Sequence, residues 1–401
     1  MKILQICHKV PYPPKDGGSI AMHNLTEGLL KTGQEVKVLS INTRKHYTEI
    51  SSLPHTYKEQ TKIEGISVDT SISIIGVLLS LITTGSYNIK RFYSKNFKRK
   101  LIETLEEKAY DIIQLESLYT APYIEIIKKH SKAKIVLRAH NVEYRIWEQI
   151  ANSEKRLLYK SYFRFLAKRL KQYEISLLNN YDGIAAISPN DSMLFRKDGC
   201  KKPIMHVPFG VNPESYLNNS VQKEIESLFH LGSMDWIPNQ EAVRWFLEKV
   251  WKKVLVSHPS LKLYIAGKDM PKDIRNSNAK NVVVSDKIKN AIDFMYSKNI
   301  MIVPLLSGSG IRIKIIEGMA AGKTIISTSI GAEGILYENG KNILIANTPE
   351  EFCNTISKCL NDPPFCERIG KNARELILHQ YNNQNICENL VNFYHELAVA
   401  N

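Results

Sequence analysis

The residues best suited to chemistry in this 401-residue chain lie between Ile300 and Gly322. An apolar run, Ile300–Val303, opens into Ser307–Gly308–Ser309–Gly310, and a segment of helical periodicity, Ile311–Ala321, follows with Arg312, Lys314 and Glu317 along it. A strand that passes through a glycine loop into a helix aims unpaired backbone N–H groups and the positive end of the helix dipole at one point, which makes a site for an anion such as a phosphate. Small residues there let the anion approach the backbone. Arg312 in the first helical turn opposes the dipole unless an anion is bound, whereas Lys314 stands i,i+3 from Glu317 and suits a surface ion pair of ~0.2–0.5 kcal/mol equally well. Taken alone, a glycine loop before a helix is also ordinary turn chemistry.

Two places in the first half have the same grammar. The apolar run Lys2–Cys7 leads into His8–Lys9 and on to Asp16–Gly17–Gly18, after which Ser19–Lys31 is helical in period. Gly17–Gly18 is either a turn that presents amides to an anion or an ordinary loop. His140 follows the run Lys134–Arg138, at the carboxyl end of a predicted strand where α/β proteins place ligands, with Arg138 and Glu143 as neighbours. It is either a site residue or an exposed structural histidine. The six cysteines show no CxxC spacing and do not cluster with histidine, so neither a zinc site nor a disulfide framework is indicated, and reduced cytoplasmic thiols are expected.

Short apolar runs alternate with helix-length segments from end to end, the rhythm of βα units around parallel sheets. Strands are expected at Lys2–Cys7, Glu35–Ile41, Ile112–Leu115, Lys134–Arg138, Gly183–Ile187 and Ile204–Val207. After Pro208–Phe209–Gly210–Val211–Asn212–Pro213 a polar stretch, Glu214–Glu226, marks a boundary before a new strand at Leu228–Leu231. The length itself favours two domains.

The segment Ser309–Gly310–Ile311–Arg312–Ile313–Lys314–Ile315–Ile316–Glu317–Gly318–Met319–Ala320–Ala321–Gly322 resembles the Glu-x7-Glu region of the group 1, or family 4, retaining glycosyltransferases. That resemblance implies an α/β, GT-B fold: two Rossmann-like domains whose parallel sheets face across a cleft, with a C-terminal helix crossing back to the N-terminal domain. Residues 1–209 with the helix at about 385–401 would form the acceptor side, and residues 210–384 would bind the nucleotide-sugar. Glu317 falls on the second Glu, which in the family binds the ribose hydroxyls. Ser309 stands where the first Glu is usual, followed by Gly310 and Ile311 at the donor. Gly232 matches the start of the family's Gly-Arg-x4-Lys loop, but Leu231–Asn239 contains neither the Arg nor the Lys. Arg312 and Lys314 are therefore expected to take over the departing diphosphate.

By the same resemblance Gly17 and Gly18 bring amides to the donor diphosphate, and His140 falls on the histidine beside the transferred sugar. Pro208–Asn212 resembles an interdomain Pro-x-Gly-Val-Asp stretch. The implied reaction transfers a sugar from a nucleotide-diphosphate donor to a carbohydrate or lipid-linked hydroxyl acceptor, with retention and with no metal or other cofactor, in cell-surface polysaccharide or glycolipid synthesis. Consistent with this, the chain has no Asp-x-Asp. The alternatives are a sugar-nucleotide epimerase of the same fold and a non-catalytic nucleotide-sugar-binding subunit.

A formal charge of +14 calls for anionic company. Glu154–Glu174 reads as an amphipathic helix with Leu158, Tyr162, Leu166, Leu170 and Tyr173 on one side and Lys160, Arg164, Lys168 and Lys171 on another. This is either a solvated face or a peripheral contact to an anionic inner leaflet, helped by an apolar helix over Ile72–Ile82. The run Ser71–Gly85 falls short of the ~20 residues of a spanning helix, and the N-terminus lacks a signal-peptide core, so a cytoplasmic protein is expected. No nucleic-acid motif is present, and no nucleic-acid partner is expected.

Overall fold

The computed structural model describes residues 1–71, 86–216, 221–286, 288–308 and 310–399. Ser309 and the helix expected over Ile72–Ile82 lie outside them. The chain divides into two compact units, Met1–Gly210 with Asn383–Asn401, and Val211–Asn382.

The first unit is built on a seven-stranded sheet: β1 (Lys2–Cys7), β2 (Glu35–Thr43), β3 (Glu64–Val68), β4 (Ile112–Glu116), β5 (Lys134–Ala139), β6 (Gly183–Ala186) and β7 (Ile204–His206). All pairings are parallel and the order is β3-β2-β1-β4-β5-β6-β7, so the winding reverses between β1 and β4. The second unit has β8 (Glu224–Leu231), β9 (Lys262–Ala266), β10 (Val282–Ser285), β11 (Lys298–Val303), β12 (Thr324–Ser327) and β13 (Leu344–Ile345). Its parallel order, β10-β9-β8-β11-β12-β13, reverses between β8 and β11. Ligands of open α/β sheets bind beyond the carboxyl ends of the strands at such reversals.

The helices that bear on function are Gly17–Lys31 (α1), Lys95–Glu107 (α2), Glu143–Ser153 (α3), Leu157–Leu177 (α4), Ile237–Phe246 (α5), Ile313–Ala320 (α6) and Asn383–Val399 (α7). α7 packs on the first unit: Ile386, Cys387, Leu390, Phe393 and Tyr394 join Ile3, Met22, Leu25, Leu29 and Val38 in one buried cluster. Gly28 of α1 faces Cys387 so closely that a Cβ there would overlap its sulfur, which explains a glycine inside a helix.

Several expectations change. Gly17–Gly18 is not a turn but the first two residues of α1, because Asp16 and Ser19 close a capping box: Ser19 N donates to the Asp16 carboxylate and Asp16 N to Ser19 Oγ, both at 3.0 Å. β8 starts inside the stretch expected to be a polar linker. Edge strand β3 went unread because its sequence, EGISV, has little apolar character. The basic helix expected over Glu154–Glu174 is α4, which starts and ends three residues later, and Leu158 is 86% exposed rather than turned inward with Leu166 and Leu170.

Candidate active site

In the second unit the loop from β11 to α6 contains two glycines in the left-handed region, Gly308 (φ +117°) and Gly310 (φ +83°). They keep the chain out of the helix until Ile313, so Arg312 occupies the N-cap position rather than the first turn, and Lys314 is the residue inside that turn. Arg312 is buried, donates to the carbonyl of Gly310 and lies 5.1 Å from the centre of the Trp236 ring. Burial pushes its guanidinium down to about 10. Ile311 precedes it in the same loop, packed under Gly334.

Lys314 does not use the i,i+3 position opposite Glu317. Its Nζ donates to Asn239 Oδ1 at 2.7 Å and lies 3.4 Å from Nε2 of buried His230. The other ring nitrogen of His230 is 3.1 Å from the carbonyl of Ile302. Burial, followed by the charge of Lys314, holds His230 well below the usual histidine range. A neutral ring that donates to Ile302 through Nδ1–H leaves Nε2 as an acceptor facing Lys314. Lys314 itself is pushed down to about 7 by burial, with Arg312 adding repulsion.

Gly232, just beyond β8, makes room for this lysine. A Cβ on it would lie 3.1 Å from Lys314 Nζ and 2.8 Å from Asn239 Nδ2. α6 thus delivers a cation to the loop where the family pattern carries its own. Glu317, one turn further on, accepts a hydrogen bond from the Tyr216 hydroxyl at 3.0 Å, and burial raises its carboxyl above the usual range.

The first unit has its own polar cluster at the β1/β4 reversal. His140 Nε2 is 2.6 Å from Oε2 of Glu116, the fully buried last residue of β4. The other Glu116 oxygen accepts from the Gln114 amide, whose carbonyl accepts from the Tyr394 hydroxyl on α7. His8 Nδ1 lies 2.9 Å from the Glu116 backbone carbonyl, and its ring stands edge-on to His140 at 5.9 Å. Burial first, then the neighbouring His140 and Lys9, lower His8 to about 3, so it is neutral and donates to that carbonyl.

Arg138 is buried with Nη1 3.5 Å from the Ala185 carbonyl and Nη2 3.4 Å from that of Pro208, and Glu116 opposes the loss of its charge. Glu143 accepts from Tyr119 at 3.0 Å, while Glu174 accepts from the backbone N–H groups of Glu143 (3.2 Å) and Tyr144 (3.1 Å) at the start of α3. At the start of α1, beside Gly17 and Gly18, the Asp16 carboxylate holds Lys9 at 2.5 Å.

The structure therefore gathers Gly232, Arg312, Lys314 and the Gly310 loop in one place and Glu317 one turn away, while His140, Gly17 and Gly18 belong to the other unit. Glu116, Gln114, Tyr394, His230, Asn239 and Tyr216 escaped the sequence reading. One signal was available for three of them: Gln114 and Glu116 interrupt a strand that is otherwise apolar, His230 sits between the apolar residues Phe229 and Leu231, and buried polar side chains need partners.

Residues 15–215 match the family model described as Glycosyltransferase Family 4, and residues 226–362 that described as Glycosyl transferases group 1. The chain belongs to the group 1, family 4 glycosyltransferases. An uncharacterized 44.6 kDa protein in the cps region of Klebsiella pneumoniae is 26% identical over 412 residues, covering 97% of this chain and 98% of that one. An uncharacterized glycosyltransferase of Methanocaldococcus jannaschii is 20% identical, covering 98% of both. Among solved structures, the sucrose-phosphate synthase of Thermosynechococcus elongatus superimposes with a TM-score of 0.70 at 15% identity over 100% of both chains. Anabaena HepE in complex with UDP gives 0.67 at 13% identity, over 99% of this chain and 100% of that one. These likenesses establish the transferase as a GT-B protein.

Proposed function

We propose that this glycosyltransferase moves a sugar from a nucleoside-diphosphate donor to a hydroxyl acceptor with retention at the anomeric carbon, and that Arg312 and Lys314 stabilise the leaving diphosphate. Lys314 is the observation that carries the reading. Its neighbours are a neutral amide, a neutral imidazole and another cation. A buried ammonium in such company is costly until an anion arrives, and the start of α6 is where a diphosphate gains most.

In the proposed step the bond from the anomeric carbon to the diphosphate oxygen breaks and its electron pair stays on that oxygen. The acceptor oxygen bonds to the carbon on the same face, and its proton passes to the departing phosphate. Arg312, Lys314 and the amides around Gly310 supply the positive potential, a role that needs no metal. Glu317 is proposed to hold the ribose diol through the oxygen that Tyr216 leaves open. Glu116 fixes the ring of His140, which is proposed to hydrogen-bond the transferred sugar.

Solved structures of Anabaena HepE contain UDP and UDP-glucose, which supports uridine-diphosphate sugars as the first donors to test. The cps-region relative supports a role in capsule or other surface polysaccharide synthesis. Among the described residues no helix is long and apolar enough to cross a membrane. At the start of α4, Leu157 (80% exposed) and Leu158 stand beside Lys155, Arg156 and Lys160, and we propose that this tip meets an anionic membrane surface where the acceptor is presented.

The test is incubation with a panel of uridine-, guanosine- and adenosine-diphosphate sugars plus cell-envelope acceptors, read as released nucleotide and by NMR of the new anomeric linkage. A retained α-linkage from an α-donor supports the reading. Release of an isomerised sugar without transfer, or binding without any release, contradicts it.

A further inference from the structure

The first unit contains a cavity of about 630 Å³, within the ~300–1,000 Å³ typical of small-molecule sites. His8 and Tyr119 form one wall, and His8 in turn stands edge-on to His140. The lining also carries cations. Arg44 and Lys45 come from the turn after β2, and Arg91 from the segment before α2.

Among the described lining residues a carboxylate matches these charges only in part: Asp69 feels the charge of Arg44. Arg91 is held by two backbone carbonyls, Nε to Asn88 at 3.3 Å and Nη1 to Thr70 at 3.2 Å, which orient the guanidinium and leave its charge in place. Asp69 is the acidic residue on the wall, and it accepts from Ser71 N at 2.9 Å. Lys9, also on the wall, is already paired with Asp16. Positive charge from Arg44, Lys45 and Arg91 therefore exceeds the negative. A neutral sugar gains little from such a lining, whereas an oxyanion gains charge-assisted hydrogen bonds and electrostatic capture.

We infer that this cavity is the acceptor subsite and that the acceptor carries an oxyanion, phosphate or uronate, which Arg44, Lys45 and Arg91 hold while the accepting hydroxyl points toward His8 and His140. The inference deepens the proposed transfer reaction and rests on it. It adds the chemical class of the acceptor, which neither the family nor the relatives specify.

The experiment reads binding without donor, so that it stands apart from whether transfer occurs. Matched ligands of glucose, galactose and N-acetylglucosamine are titrated by ligand-detected NMR: the neutral methyl glycoside, the 1-phosphate, the methyl uronide where it exists, and orthophosphate alone. The charged members are expected to bind at least about tenfold more tightly than the neutral one, the worth of one charge-assisted hydrogen bond. That advantage should shrink with added salt. The triple variant Arg44→Ala/Lys45→Ala/Arg91→Ala should lose it, while Lys128→Ala/Lys129→Ala, which removes exposed charge on another helix, should keep it; circular dichroism checks the fold of both.

Preference for the 1-phosphate over the uronide assigns a phosphate-bearing acceptor, and the reverse assigns an acidic glycan. Equal binding of neutral and charged members, failure of every charged sugar to bind, orthophosphate binding as well as the sugar phosphates, or a triple variant that binds like wild type would overturn the inference. Failure of the transfer reading shows elsewhere, as no donor consumption in the panel above.

Discussion

The carboxylate of Glu116 lies 2.6 Å from Nε2 of His140, with the two residues at the carboxyl ends of neighbouring parallel strands. Glu116 has no exposure and His140 is 10% exposed, so the pair is shielded from water on all but one side. A buried carboxylate on one ring nitrogen sets the tautomer and orientation of the ring, which leaves Nδ1 for other work. Glu116 is in this sense a positioning residue.

Replacing Glu116 with Gln keeps the shape but removes the charge and can invert the tautomer. The expected result is a fall in kcat of roughly 10–100-fold, the worth of one hydrogen bond to a charged group, with donor KM changed much less. The pH profile of kcat should shift as well, which a purely structural residue would not cause. Tyr394→Phe, two hydrogen bonds away through Gln114, should have a smaller effect of the same sign. Equal losses in kcat and in nucleotide affinity would show that Glu116 merely holds the fold.

Lys314 predicts proton uptake on donor binding. Its free ammonium titrates at about 7, and a bound diphosphate raises that value. At a pH near or above 7 the nucleotide must therefore draw in a proton, and affinity should fall as pH rises beyond that point. Calorimetry of UDP binding in buffers of different ionisation enthalpy measures the proton directly. No uptake at about pH 8 would mean that Lys314 does not meet the diphosphate.

Most of the fold was legible in the pattern of residues, because strands buried on both faces are largely apolar runs separated by helix-length periodic segments. β1, β4, β5, β11 and β12 are of that kind. β3, at a sheet edge, and the exposed polar start of the central strand β8 were not legible, since neither carries an apolar run. In the second-unit site, Gly232, Arg312, Lys314 and Glu317 could be named from the chain, but their partners could not. Nothing local in Tyr216, His230 or Asn239 says that the fold brings them to Glu317 and Lys314. The placement of Gly17 and Gly18 turned on a capping interaction between Asp16 and Ser19 that competes with turn formation.

Glu143 and Glu174 make stability depend on pH. Burial pushes Glu143 up to about 7 and, together with the charge of Glu143, Glu174 up to about 8, from an ordinary 4.5. A carboxyl whose folded-state value is raised contributes stability that is fully present below 4.5 and is lost as pH rises through 7 to 8. Glu174→Gln removes one of these charges and can still accept a backbone hydrogen bond. Urea unfolding at about pH 5.5 and about pH 8.5 should show the variant gaining on wild type at the higher pH. A difference independent of pH would refute the assignment.

The exposed tip of α4 predicts salt-sensitive flotation with vesicles rich in anionic lipid. Leu157→Ser/Leu158→Ser should weaken the interaction at every salt concentration, because it removes the apolar contribution and leaves the charges. Wild type that stays in the unbound fraction at low salt would remove the membrane surface from the proposed function.

Stabilisation of the departing diphosphate by Arg312 and Lys314 is central to the proposed transfer, and turnover of the Arg312→Ala/Lys314→Ala variant tests it most directly. With the nucleotide-sugar that wild type consumes fastest, kcat should fall by at least roughly 10²–10³-fold, the loss seen when oriented donors to developing charge are removed. The variant should remain folded and should still form the same retained linkage in its residual product. Undiminished turnover, or a wild type that consumes none of the nucleotide-sugars offered, would contradict the proposal.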